Sequence, residues 1–272
     1  MADEDFRTLT AVVEALFAET TAIRTTEPEE IRKLRTGSLD NKVGTNGQYF
    51  ATWDFANGKL RDYSTYTWYP LLQLAEDPSF SIEQVCNAIN KFDHTYSNYL
   101  RYSGFPKLGR FALALRLHLP SATTREQFVL AVRTYYAYTN QLLAWSFHYF
   151  PWSLGAQFIY QNPDHPATSL TDLARRVHVR EGRRIKLTWE PIGITADACL
   201  AINENRELCN DVIAALPFTV LRDHAVVSGE SIYAWTPVVS TSKIQVRERQ
   251  CDAPKGRLRF SQTSDRSVRS SH

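Results

Sequence analysis

The stretch from Leu108 to Trp145 constrains the fold most, because it joins two different hydrophobic periods across a proline. Phe111, Leu113, Leu115, Leu117 and Leu119 alternate with Ala112, Ala114, Arg116 and His118, and a period of two predicts a half-buried strand. Pro120 closes that strand, and the polar run Ser121 to Thr124 caps a helix directly after it. Thr124 with Gln127 fits a reciprocal capping box. Phe128, Val132, Tyr135, Thr139, Leu142 and Trp145 then recur at helical spacing. On this reading the leucine face belongs to the core. A partner is left the Ala112, Ala114, Arg116 and His118 face, or the off-stripe tyrosines of the helix.

The flanking sequence extends the pattern. Phe6, Leu9, Val13, Leu16 and Phe17 predict a helix from about Asp5 to Glu19, and Ala22 to Thr25 reads as a short strand. Gln48 to Phe55 and Lys59 to Tyr69 are aromatic-rich strand candidates, joined by Asn57-Gly58 as a tight hairpin turn. A helix from Ser81 to about Tyr102 begins with a Ser81/Gln84 capping box and a Phe80/Val85 staple. Its expected buried stripe is Ile82, Val85, Cys86, Ile89, Phe92, Tyr96 and Tyr99, and Gly104, Pro106 and Gly109 end it. The fold class implied is α+β, an antiparallel sheet with helices packed on one face.

Asn162 to Pro166 marks a boundary. Beyond it come a short helix near Ser169 to Arg176, a strand from Arg184 to Trp189 with Ile185, Leu187 and Trp189 on one face, and helical sequence from about Thr195 to Leu216, stopped by Pro217. A last hairpin joins Phe218 to Val227 with Ser231 to Val239. Residues 165–240 thus form a smaller α+β part that extends or pairs with the first.

Residues Asn87 to Tyr102, together with the Arg110 to Trp145 strand and helix, resemble the YbjN-like domains, which share the fold of type III secretion chaperones. The resemblance covers residues 6–150. It implies a sheet with helices on one face, frequent dimerisation, and binding of protein segments rather than chemistry. It brings no catalytic residues.

Composition narrows the chemistry. A hydrophobic share of 43% over 272 residues suffices for a folded core, and a net charge of +2 forces no acidic partner. The charge is uneven: residues 243–272 carry eight Lys or Arg against three Asp or Glu, so the rest is net acidic. This 245–272 segment reads as a basic, disordered tail. The N-terminus has acids where an export signal has bases, no apolar run reaches about 18 residues, and Cys86, Cys199, Cys209 and Cys251 show no metal spacing. A cytoplasmic protein with reduced thiols, no membrane span, no metal and no cofactor is expected. No nucleophile-elbow, zinc-helix, phosphate-loop or dinucleotide glycine pattern occurs.

Two binding signals remain. Arg175, Arg176, Arg180, Arg183, Arg184 and Lys186 put six positive charges within 12 residues, enough to meet nucleic-acid phosphates, although a solvated hairpin is the plainer reading. Tyr136 and Tyr138 fall off the buried helical line and suit a protein interface. His94 and His118 read first as ordinary surface or hydrogen-bonded side chains. The sequence therefore predicts a non-enzymatic protein-binding module, chaperone-like or adaptor, acting as a homodimer through Arg116, His118, Tyr136 and Tyr138. A nucleic-acid or phosphate binder using the 175–186 patch is the alternative, and an enzyme with a spatially assembled site is a third class.

Overall fold

The computed structural model describes residues 6–36, 38–39, 53–148, 182–224, 231–247, 253, 256–260 and 267–271. The chain divides into two units, Met1–Gly155 and Ala156–His272. Among its described residues the regular elements of the first unit are all helices: α1 (Leu9–Ala22), α2 (Glu29–Arg35), α3 (Trp53–Arg61), a π-helical segment (Asp62–Trp68), α4 (Tyr69–Glu76), α5 (Ile82–Tyr102), α6 (Pro106–His118), a short 3-10 turn (Leu119–Ser121) and α7 (Arg125–His148).

The helix starts follow from side-chain caps. Thr8 accepts from the Ala11 backbone, and α1 buries Leu9, Val12, Leu16 and Thr20 along one line. At α5 both arms of the Ser81/Gln84 box are made, at 3.1 and 2.7 Å. At α7 the Thr124 hydroxyl accepts from Gln127 N at 3.2 Å, but the return arm is displaced: Gln127 Oε1 accepts from Thr123 instead. The expected strand at Ala22 to Thr25 is the end of α1 and the turn after it.

The turn between α5 and α6 is built by Gly104 and Pro106. Gly104 has φ +107°, and Phe105 N donates to Leu100 O at 3.0 Å, closing the six-residue wrap that ends many helices. Leu100 and Phe105, which flank that wrap, are both buried. Pro106 then opens α6, where its missing donor costs nothing. Gly109 lets α6 lie close to α5, since a Cβ there would stand 2.9 Å from Arg101 Cβ.

The strand expected through Phe111 to Leu119 is therefore α6. Its buried residues are Leu108, Phe111, Ala112, Ala114 and Leu115, while Leu113 and Leu117 are 49% and 67% exposed. A leucine at every second position satisfied both periods, and the period-3.6 set was the one the fold uses. No Val, Ile or Thr occurs between Phe111 and Leu119, and Ala and Leu favour helix.

The hairpin expected from Gln48 to Tyr69 is likewise helical wherever it is described. Asn57-Gly58 lies inside α3, with Asn57 Nδ2 donating to Ser146 Oγ of α7 at 2.7 Å. The π-helical segment follows without a break and turns Tyr63, Ser64, Thr65 and Trp68 inward. Such segments are rare and concentrate at functional positions.

The last helix of the unit, α7, is buried around nearly its whole circumference from Ala131 to Ser146. This marks it as the core helix against which α1, α4 and the π-helical segment pack. Tyr136 and Tyr138, expected at an interface, are 2% and 0% exposed, so the partner surface assigned to them is corrected to core. Tyr138 packs edge-on to Phe111 and Tyr136 against Tyr69.

The second unit holds the strands. β1 (Arg184–Trp189) pairs antiparallel with β2 (Ile194–Cys199), from Arg184 opposite Cys199 to Trp189 opposite Ile194, with Gly193 at φ +64° in the turn. Ile185, Leu187 and Trp189 are the less exposed face of β1, as their alternation predicts. The Thr195 to Leu216 helix is shorter than expected: β2 takes its first part, and α8 (Arg206–Ala215) the rest. β3 (Arg222–His224) and β4 (Ser231–Trp235) form the expected hairpin pairing. They join β5 (Leu258–Phe260) and β6 (Ser267–Ser271) in the order β3-β4-β6-β5. Both β5 and β6 fall in the stretch read as a disordered tail. The fold is mixed helical with small antiparallel sheets; the described strands all belong to the second unit, and the first has none among its described residues.

Candidate functional site

Asp93 stands at the centre of the helical unit. On α5 the buried line runs Cys86, Ile89, Asp93, Ser97, Leu100, and Asp93 has no exposed surface. The π-helical segment brings Tyr63 to it, α7 brings Tyr135, and α6 brings Arg116. Arg116 Nη1 donates to Asp93 Oδ2 at 2.7 Å and to Ser97 Oγ at 3.4 Å, while Ser97 donates to the same carboxylate oxygen at 3.3 Å. The Tyr63 hydroxyl donates to Asp93 Oδ1 in a short hydrogen bond. Because that hydroxyl has one proton, its 2.6 Å contact with Tyr135 is donated by Tyr135. The result is a directed chain, Tyr135 to Tyr63 to Asp93, with Arg116 on the other carboxylate oxygen.

Burial dominates the electrostatics. It pushes the Asp93 carboxyl above the usual carboxylate range, opposed by the Tyr63 hydrogen bond, the Arg116 charge, Ser97 and the Trp68 indole. The Tyr63 and Tyr135 phenols are pushed well up, first by burial and then by the Asp93 charge. The Trp68 ring lies 4.4 Å from Tyr135 between centroids, tilted by 57°, and Tyr63 meets both rings edge-on. Desolvating an ion pair costs about as much as the pair returns, so stability is a weak reason for this arrangement. A perturbed carboxyl with a fixed charge partner is a functional candidate on physical grounds.

A second polar cluster ties α1, α2 and α6 together. Lys107 N donates to Glu30 Oε1 at 2.6 Å, and Lys107 Nζ donates to Glu19 Oε1 at 2.8 Å. Burial pushes the Glu30 carboxyl up to about 7, against the Lys107 backbone hydrogen bond. The Tyr138 phenol is raised by burial and by Glu30 and Glu19.

Of the residues expected to bind, Arg116 alone joins the central network. His118 is half-buried, its Nε2 2.7 Å from Phe6 O, and so anchors the segment before α1. Tyr136 and Tyr138 are core. Arg183, Arg184 and Lys186 are exposed on or beside β1, and Arg175, Arg176 and Arg180 lie outside the described residues. Asp93 was not singled out in the sequence. The signal was there: an acid and a serine occupy the buried helical line that the stripe through Phe92 missed, and Phe92 is exposed. Among the described residues no group of His, Cys, Asp and Glu side chains could hold a metal ion. No helix among them is long and apolar enough to cross a membrane.

Residues 9–149 match the family described as the cucumopine synthase C-terminal helical bundle domain. The chain belongs to that family. A helical bundle is what the fold shows over those residues, so the YbjN-like resemblance, with its sheet under helices, is overturned. The chaperone or adaptor reading falls with it, since the family is named for a synthase. The chain is also similar to the solved structure of McbB in complex with tryptophan, with 30% identity and a TM-score of 0.49 over 58% of this chain. It spans about half, 51%, of that structure's length. No curated protein matches the chain.

Proposed function

We propose that this chain is an enzyme of the cucumopine synthase type, a synthase making a small molecule. The family match over residues 9–149 carries the reading. The Asp93–Arg116 pair supports it, because a fully buried carboxyl that holds a partly exposed guanidinium in place is an arrangement a binding or reacting site uses and stability alone gives little reason for. Asp93 is sealed from solvent, so its role is to position Arg116 and the Tyr63 hydroxyl.

Metabolite profiling tests this. Cells expressing the wild type should accumulate a product, cucumopine or a relative, that is absent from cells expressing Asp93→Asn, with the folding of the variant checked by circular dichroism. Indistinguishable profiles from folded wild type, folded variant and empty vector would overturn it.

A further inference from the structure

The Arg116 guanidinium has two forks, and the structure uses one nitrogen of it. Nη1 is spent on Asp93 and Ser97. Among the described residues Arg116 makes no other hydrogen bond, which leaves the edge formed by Nε–H and Nη2–H₂ without a protein partner. That edge is not sealed. The side chain keeps 11% of its surface, and neither Nε nor Nη2 is among the buried polar atoms that lack partners. Asp93, by contrast, is fully buried behind it and fixes the plane of the guanidinium.

We propose that the Nε/Nη2 edge of Arg116 is a receptor for a carboxylate, and that this carboxylate belongs to the substrate. Two parallel N–H donors in one plane match the two oxygens of a carboxylate, giving a bidentate pair that a point charge cannot reproduce. The pre-set orientation lowers the ordering cost, because Nη1 is already held by two acceptors. Ser97 and Tyr63 donate to the Asp93 carboxylate, so its negative charge is partly satisfied from within the bundle and opposes an incoming anion less than a bare acid would. The ligand class is a small organic acid. Arg116 is thus the substrate-touching group, and Asp93 and Ser97 are positioning residues.

The proposal rests on the synthase reading for calling the carboxylate substrate, but the binding itself is measured without turnover. The full-length chain, labelled with ¹⁵N, is titrated with acetate and with succinate against sodium chloride at equal ionic strength. The Arg116 Nε–Hε resonance should shift saturably with either carboxylate and not with chloride. In Arg116→Lys, which keeps the charge and loses the fork, calorimetric affinity for succinate should fall about tenfold or more. An Arg116 signal that moves no further with carboxylate than with chloride would overturn the proposal, as would a folded lysine variant that binds succinate as tightly as wild type. The wild-type titration decides the matter even if the lysine variant fails to fold. Carboxylate binding without a metabolite difference for Asp93→Asn sinks the synthase reading alone; a metabolite difference without carboxylate binding sinks the receptor alone.

Discussion

At the residue scale, the two ionisable centres of the helical unit differ in what burial leaves them. Asp93 has an arginine and two donating hydroxyls on it, whereas Glu30 has a single backbone N–H at 2.6 Å, with the Lys107 and Arg110 charges nearby partly offset by the like charge of Glu19. Glu30 therefore keeps its proton in the folded chain up to about 7, against 4.5 unfolded. The stabilisation from holding that proton is fully present below about 4.5 and is lost as pH rises through about 7, an effect of at most about 3 kcal/mol. Glu30→Gln should flatten this dependence, melting above the wild type at pH 8 and no higher than it at pH 4. Thermal midpoints measured across that range check it. Neither carboxyl was legible as a site beforehand. A lone acid in a helix normally reads as solvated, and only the line from Cys86 to Leu100 places Asp93 inside. Arg116 was singled out for its position opposite the leucines on a strand, and it matters for a different reason, on a helix.

At the element scale, α5 and α7 were readable because their starts carry caps that work locally, whatever the tertiary fold, and α1 from its apolar spacing alone. The α3 and α6 segments were not: in α6 the alternating leucines fit two periods, and in α3 the local signals pointed the wrong way. Around Asn57-Gly58 the turn dipeptide and the aromatic, β-favouring neighbours agreed on a hairpin, and packing against α7 overrode both. That override has a measurable residue. Gly58 sits in a helix interior with open space where a Cβ would go, so it costs backbone entropy and returns no close contact. Gly58→Ala should stabilise the protein by about 0.5–1 kcal/mol in urea denaturation. Gly104, with its positive φ and Leu39 Cδ1 only 2.8 Å from a Cβ, is the position where the same change should not help.

At the scale of the whole molecule, the chain divides into a helical unit and a strand-bearing unit, whereas the sequence had put strands and helices together in the first part. The family match ends at residue 149, close to the division after Gly155. A chain truncated after Gly155 should therefore keep the helical circular dichroism signal and unfold in one cooperative transition; loss of that signal would show that the bundle depends on the rest. Within the bundle, Trp145 Nε1 donates to Ile23 O at 2.6 Å, across 122 residues of sequence. The end of α1 is thus tied to the last turn of α7. At synthesis rates of about 5–20 residues per second, roughly ten seconds separate the making of α1 from that of the α7 turn that closes on its end. The core of the bundle therefore closes only once α7 has been made.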